Sequence, residues 1–228
     1  MLKGRTALIT GSTSGIGLAT AHLMPEQGIN LILHGLMEKN EGKALAEEFS
    51  TKYNIYTLFD NADLMQSSAI RSLFDRALDS MGVVDILVNN AGIQHTEGLE
   101  TFPEQKWDAI MAINLTAAFH TIQLALPGMK TKGWGRIINI ASVHGLVASL
   151  NKSAYCAAKH GLIGLTKVVA LECAELGITA NSICPGWVDT PILREQVAQF
   201  ADKMKVGLEQ AKRDIVTTKQ PLPEMMEP

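Results

Sequence analysis

The chain has 228 residues, 46% hydrophobic and 19% charged, with a net charge of −3 at pH 7; this describes one globular domain with a sizeable core and gives nucleic acid or an anionic membrane no reason to bind. No basic, apolar leader opens the sequence and no apolar run approaches membrane-spanning length, so a cytoplasmic protein is expected. The three cysteines, Cys156, Cys173 and Cys184, lack paired spacing and read as reduced thiols, with Cys156 a small packing residue.

In chain order, Thr6 to Thr10 reads as a first strand, followed by Gly11-Ser12-Thr13-Ser14-Gly15-Ile16-Gly17 and a helical pattern running to Gly28, a C-cap. Strand, glycine loop and helix make the context of a dinucleotide site. Glycines let the backbone approach a pyrophosphate, and the helix N-terminus faces its charge. The spacing is GxxxGxG rather than the commoner GxGxxG, and a plain tight turn is the competing reading.

Leu31 to His34 is a second strand, ending in His34-Gly35-Leu36-Met37. No acid sits there to take an adenosine ribose diol, and no cation to take a 2′-phosphate. Glu38 and Lys39 belong to the next helix, about Glu38 to Tyr53. The missing cation favours NAD over NADP. A third strand, Ile55 to Phe59, runs into Asp63, which either accepts the adenine amine or caps the helix ending at Met81. Val84 to Val88 is a fourth strand. Asn89-Asn90-Ala91-Gly92 at its end reads as turn formers, as anchors for sheet and cofactor, or both.

Glu104 to Lys130 reads as one long helix with Trp107, Met111, Leu115, Ala118, Ile122 and Leu126 at helical spacing. Asn114 falls in that stripe, where an unpaired amide is costly. Either it bonds to backbone, or it kinks the helix and holds a water near a site. Arg136 to Ala141 is a fifth strand, Ser153 to Leu176 a helix, and Ile178 to Cys184 a sixth strand ended by Pro185-Gly186. The alternation predicts an α/β fold: a doubly wound, Rossmann-like parallel sheet with helices on both faces, forming a single catalytic domain over 1–228. Ligands should bind at the strands' carboxyl ends, where Gly11, Asn90, Ser142 and Pro185 fall. Two amphipathic helices, about Ile192 to Met204 and Leu208 to Thr217, carry the stripe Leu193, Val197, Phe200 and Met204. They are expected to form a lid over about 188–217, the alternative being a packed or partner-binding hairpin.

The most chemical stretch is Ser142 with Tyr155 and Lys159. Tyr155 and Lys159 are one turn apart on a helix, and Ser142 closes a strand. A phenol near pKa 10 is a poor base at neutral pH, and lowering it by roughly 2–3 units takes about 3–4 kcal/mol. An ammonium at about 4 Å supplies roughly that much at an effective dielectric near 20. Lys159 is therefore expected to lower Tyr155, and Ser142 to hold a substrate oxygen.

Taken together, Thr10-Gly11-xxx-Gly15-Ile16-Gly17, Asn89-Asn90-Ala91-Gly92, Asn114, Ser142, Tyr155-xxx-Lys159 and Pro185-Gly186 resemble the short-chain dehydrogenase/reductase family across nearly the whole chain. The resemblance implies a tetrad of Asn114, Ser142, Tyr155 and Lys159. Tyr155 would be the acid/base, Lys159 would lower its pKa and hold the nicotinamide ribose, and Asn114 would keep a relay water. It also implies NAD contacts from Gly11, Ser14, Ile16, Gly17, Leu36, Asp63, Leu64, Asn90, Tyr155, Lys159, Val188 and Thr190, no metal, and a homo-oligomer, a tetramer in the family. Ser14 stands where NADP-using branches often carry a cation.

A narrower likeness, to family members that act on short hydroxy acids, rests on Asn90-Ala91-Gly92-Ile93-Gln94-His95, Ser142-Val143-His144-Gly145-Leu146, Lys152, Cys184-Pro185-Gly186-Trp187 and Gln196. It implies that Gln94, His144, Lys152 and Gln196 gather a substrate carboxylate beside Ser142, Tyr155 and Trp187. A charged acid needs such a charge partner and donors. Two other classes share the pattern: a 3-oxoacyl reductase using NADP, and a non-catalytic NAD-binding form. The sequence departs from the family in stopping at Pro228 after Lys219-Gln220-Pro221-Leu222-Pro223, where the family continues with a helix and a seventh strand. The expectation is an uncovered sixth strand and an unstable or aggregating polypeptide if the molecule truly ends there.

Overall fold

The computed structural model describes residues 2–217 and 224–228; the Lys219–Pro223 stretch lies outside them. Six parallel strands form one sheet in the order β3-β2-β1-β4-β5-β6. They are β1 (Thr6–Ile9), β2 (Asn30–His34), β3 (Thr57–Asp60), β4 (Ile86–Asn89), β5 (Gly135–Ile140) and β6 (Ile178–Ile183). The order reverses between β1 and β4, which opens a crevice at their carboxyl ends.

Strand alternation sends neighbouring side chains to opposite faces. Ala7, Ile9, Leu31 and Leu33 pack with Ala21 of α1 (Gly15–Leu23) and Phe49 of α2 (Lys39–Tyr53). Leu8, Ile32, Leu87 and Ile137 face the other way. They meet Phe74 of α3 (Ser67–Met81), Ile122 and Met129 of α5 (Ala117–Lys132) and Val169 of α6 (Ser153–Glu172). Both faces of every central strand are thus dry, as a parallel sheet requires.

The long predicted helix is two helices joined by a wide turn. α4 (Glu104–Met111) passes through a π turn at Ala112–Thr116 into α5. The extra residue rotates the pattern, so Trp107 is partly exposed while Ile110, Asn114, Ala117, Thr121 and Ala125 are buried. The whole rod, Glu104–Lys132, is long and apolar enough to cross a membrane, which corrects the expectation that no apolar run approaches that length; here its apolar face packs into the core. α6 stops at Glu172, four residues early, because turns at Ala174 and Leu176 lead to Gly177 in the left-handed region at φ 69°.

α7 (Pro191–Met204) and α8 (Leu208–Thr217) pack on each other through Leu193, Val197, Ala201 and Ala211. Phe200 joins them, whereas Met204, expected in the stripe, is more than half exposed. Residues 224–228 return to the base of this pair: Met226 donates its N–H to the Trp187 carbonyl and accepts from the Asp189 N–H, both at 2.9 Å.

A polar ladder crosses the sheet where the strands run out. Asn89, Asn139 and Ser182 are in register on β4, β5 and β6. Thr121 Oγ1 donates to Asn89 Oδ1, Asn89 Nδ2 to Asn139 Oδ1, and Asn139 Nδ2 to Thr166 Oγ1, at 2.7–2.8 Å. Ser182 Oγ donates to the same Thr166 oxygen, whose own proton goes to the Leu162 carbonyl. Each buried group has a partner, so the ladder fixes three strands and two helices at once.

Asn139→Ala should therefore destabilise the protein by about 2–4 kcal/mol in urea denaturation, since it orphans the Asn89 amide and one Thr166 acceptor. A loss below about 1 kcal/mol would show that the ladder is replaceable.

Candidate active site

The cleft begins at the switch point between β1 and β4. Gly11 and Gly15 take φ of 65° and 51°, which side chains rarely adopt. Asn90 Nδ2 donates to the carbonyls of Thr10 and Gly11 at 2.9 and 3.0 Å, and Thr10 Oγ1 accepts the N–H groups of Asn90 and Ala91. Of the two readings of Asn90, its amide anchors the sheet to the glycine loop. A Cβ at Gly17 would collide with the Gly11 carbonyl and the Asn90 amide, so this glycine lies beneath the loop. The Ser14 side chain makes no capping bond to α1, which leaves the first-turn N–H groups available to an anion.

With the exception of Gly17, the residues expected to hold cofactor or substrate line one cleft of about 560 Å³. Ser14, Ile16, Leu36, Asp63 and Leu64 form its β1–β3 side. Asp63 also accepts the Met65 N–H at 2.9 Å in a turn; α3 starts later, after Gln66, so Asp63 does not cap it. Val188 and Thr190 lie at the base of α7, with Trp187 beside them. Sequence reasoning passed over His34, which reaches into this cleft, and over Ile93, Val143, Val147 and Ile192, which make its apolar wall. The signal for His34 was its place at a strand end where a ligand-binding residue is expected.

At the β5–α6 side, Ser142 follows β5 and opens a short turn, Val143–Gly145; its Oγ accepts the His144 N–H at 3.1 Å, and its hydroxyl lies near enough to the Tyr155 phenol to favour the anion. His144, buried, stands edge-on to the Tyr155 ring, 6.2 Å between centroids. Tyr155 and Lys159 share one face of α6, as their spacing requires. Lys159 is 3% exposed and donates to the Ile140 carbonyl at 2.7 Å, with its amine 5.7 Å from the Tyr155 ring centroid.

Asn114 lies behind the cleft, within the π turn. Its Nδ2 donates to the Ile93 carbonyl and its Oδ1 accepts the Ile93 N–H, at 2.8 and 2.9 Å. The backbone-bonded reading is thus realised at a helix distortion, a setting common at functional sites.

The electrostatics differ from the sequence expectation in one respect. Burial pushes the Tyr155 phenol above 10, and the Ser142 hydrogen bond offsets this only in part. Burial also pushes the Lys159 amine down, to about 8. The amine is turned to a carbonyl and the surroundings are dry, so desolvation outweighs its field at the phenol.

The remaining polar group is Lys152, 7% exposed, just before α6. Its amine donates to Gln196 Oε1 on α7 at 2.8 Å and to Gln94 Oε1 at 3.2 Å. Three separate segments thus meet in the cleft that Ser142 and Tyr155 also line.

A phenol, a hydroxyl and two amines at the carboxyl ends of a doubly wound sheet define an oxidoreductase built on a dinucleotide fold. A family model for short chain dehydrogenase matches residues 5–201, and the chain belongs to that family. It is similar to D-beta-hydroxybutyrate dehydrogenase of Cupriavidus necator, at 54% identity over all of this chain and 88% of that protein. It is also similar to the protein of that name from Rhizobium meliloti, at 49% identity over 95% of this chain and 84% of the other. Among solved structures, levodione reductase superposes with a TM-score of 0.90 at 29% identity, covering 100% of this chain and 87% of that one.

The buried amine makes a stability prediction. Lys159 sits at about 8 when folded against 10.5 when free, so folding disfavours its proton. That penalty, roughly 3 kcal/mol, is fully present below pH 8 and fades as pH rises towards 10.5. Lys159→Met should then be more stable than the parent at pH 7 by about 1–3 kcal/mol, allowing for the lost Ile140 bond, with the gap closing by pH 10.5. Urea melts across pH 7–10.5 check this; a variant less stable at pH 7 would contradict it.

Proposed function

We propose that this protein interconverts D-3-hydroxybutyrate and acetoacetate with NAD in the cytoplasm. The observation that carries the reading is the convergence of Lys152, Gln94 and Gln196 in the same cleft as Ser142 and Tyr155. It is a carboxylate receptor set beside a hydroxyl-handling pair. The names of the two bacterial relatives support the substrate.

The cofactor half of the cleft suits a dinucleotide. At Gly11 and Gly15 the loop offers bare backbone to a pyrophosphate, and the first turn of α1 carries no side-chain cap. Bound NAD would supply a hydride acceptor and a positive charge. The β1–β3 side presents Ser14, Leu36 and Asp63, while the lysines lining the cleft, Lys152 and Lys159, come from α6 and its approach. An adenosine 2′-phosphate thus meets no lysine or arginine at the end of β2, which supports NAD over NADP.

The chain's own groups act as follows. Lys152, with the two glutamines and His144, takes the substrate carboxylate. Ser142 holds the C3 oxygen against Tyr155. The phenol, as its anion, removes the hydroxyl proton while C3 gives up hydride; in the reverse direction the phenol returns that proton. Lys159 protonated opposes the burial that raises Tyr155, and Asn114 keeps the Ile93 turn beside both in place. Trp187 and α7 exclude water from the acid.

The test is turnover of D-3-hydroxybutyrate followed by reduced-cofactor absorbance. NAD should be preferred over NADP by about ten- to hundredfold in kcat/KM, the worth of a missing charge contact. Tyr155→Phe should lose about 10²–10⁴ in kcat while still binding cofactor. Comparable rates with both cofactors, or a tyrosine variant within tenfold of the parent, would overturn these roles.

Lys152→Ala should weaken kcat/KM for the hydroxy acid about ten- to hundredfold and leave an uncharged secondary alcohol of similar size much less affected. Equal losses on acid and alcohol would make Lys152 a packing residue and remove the main support for the substrate.

A further inference from the structure

We propose that His34 is the clasp of the cofactor cradle, a positioning residue that presents the glycine loop to a pyrophosphate only while its imidazole is neutral. The inference rests on the reading that this loop takes a dinucleotide.

The ring joins the two loops that form the β1–β3 side of the cleft. His34 Nδ1 accepts the Gly11 N–H at 3.1 Å, and Nε2 pairs with the Ala62 carbonyl at 2.9 Å. A carbonyl can only accept, so Nε2 carries the proton and Nδ1 is the acceptor. Gly11 opens the glycine loop, and Ala62 precedes Asp63 and Leu64, which line the adenosine side. One buried ring, 2% exposed, therefore sets the gap between them.

A second proton breaks only one of the two bonds. A protonated Nδ1 would point its N–H at the Gly11 N–H, donor against donor, while the Ala62 bond survives. The Gly11 amide would turn away, in a loop already held in a conformation that side chains avoid. The charged groups around the ring come from one side. Asp60 on β3 favours the imidazolium, but it is held by Arg76 of α3, and Asp63 is turned to Met65. β1 and the glycine loop bring no titratable group. Burial holds the imidazole below 6.5, so the clasp is closed at neutral pH and opens in acid. The loop would stay attached after opening, because the Ser12 N–H donates to the His34 carbonyl at 2.8 Å and Ser12 Oγ accepts the His34 N–H at 2.9 Å.

The test uses ADP-ribose, which carries the adenosine and pyrophosphate but survives acid, titrated calorimetrically into the whole protein from pH 8 to pH 5. Wild-type affinity should fall on the acid side, approaching about tenfold per pH unit once the ring takes its proton, with far-UV circular dichroism unchanged. His34→Asn keeps an acceptor near Gly11 and cannot titrate; any acid-side loss due to adenine itself remains, and the His34 component should vanish. His34→Leu should bind weakly at every pH. Should His34→Asn not fold, His34→Gln takes its place. No ADP-ribose binding by the wild type at pH 8 would sink the dinucleotide reading itself. Binding with the same pH profile in wild type and His34→Asn, sloped or flat, would overturn the role of His34 alone.

Discussion

Every functional part of this molecule hangs on the cross-link between Thr10 and Asn90. β1 and β4 are neighbours in space and about eighty residues apart in sequence. The Thr10 hydroxyl takes two backbone N–H groups from the end of β4, and the Asn90 amide returns two bonds to the end of β1. This reciprocal pair holds the crevice at a fixed width. The glycine loop leaves from one side and the Ala91–Ile93 turn from the other, where the Ile93 N–H and carbonyl pair with Asn114. Backbone groups at strand ends are otherwise orphaned; here the same bonds that satisfy them set the geometry of the site.

The site itself works against stability. A lysine is kept dry at the end of β5 with its amine pushed down to about 8, and a second lysine is buried in the same cleft. Such groups are tolerated because the sheet beneath is apolar on both faces and because the polar ladder pins β4, β5 and β6 where these residues project. The surroundings that cost folding energy are also what make a charge difference large once a ligand enters.

Much of this was legible in the sequence. Alternating apolar runs and helical periods gave the parallel order, and the strand-end positions of Gly11, Asn90, Ser142 and Pro185 located the cleft. Tyr155 and Lys159 were placed by helical spacing alone. What failed did so for physical reasons. The stripe through Trp107 and Met111 assumed 3.6 residues per turn across a segment that inserts a π turn, so the buried face starts at Ile110. Asn139 was placed in a strand and Asn89 was open between turn former and sheet anchor; their partners could not be named, because these lie on strands and helices that sequence spacing does not bring together. His34 looked like a missing acid, since its two partners are backbone groups 23 and 28 residues away. Burial at Tyr155 could not be weighed beforehand, because Coulomb attraction can be written from spacing, whereas desolvation requires the walls.

The Asn89–Asn139–Ser182 ladder carries one more consequence, for how the chain assembles. Parallel strands pair only after long crossovers, so β4, β5 and β6 come together late and from far apart. In a sheet with two apolar faces, hydrophobicity alone hardly distinguishes a strand from its neighbour shifted by one residue. The ladder does. A slip of one position turns the Asn139 carboxamide onto the opposite, apolar face and strands its partners, a penalty of several kcal/mol at once. The three polar side chains thus favour one register of β4, β5 and β6 over its neighbours.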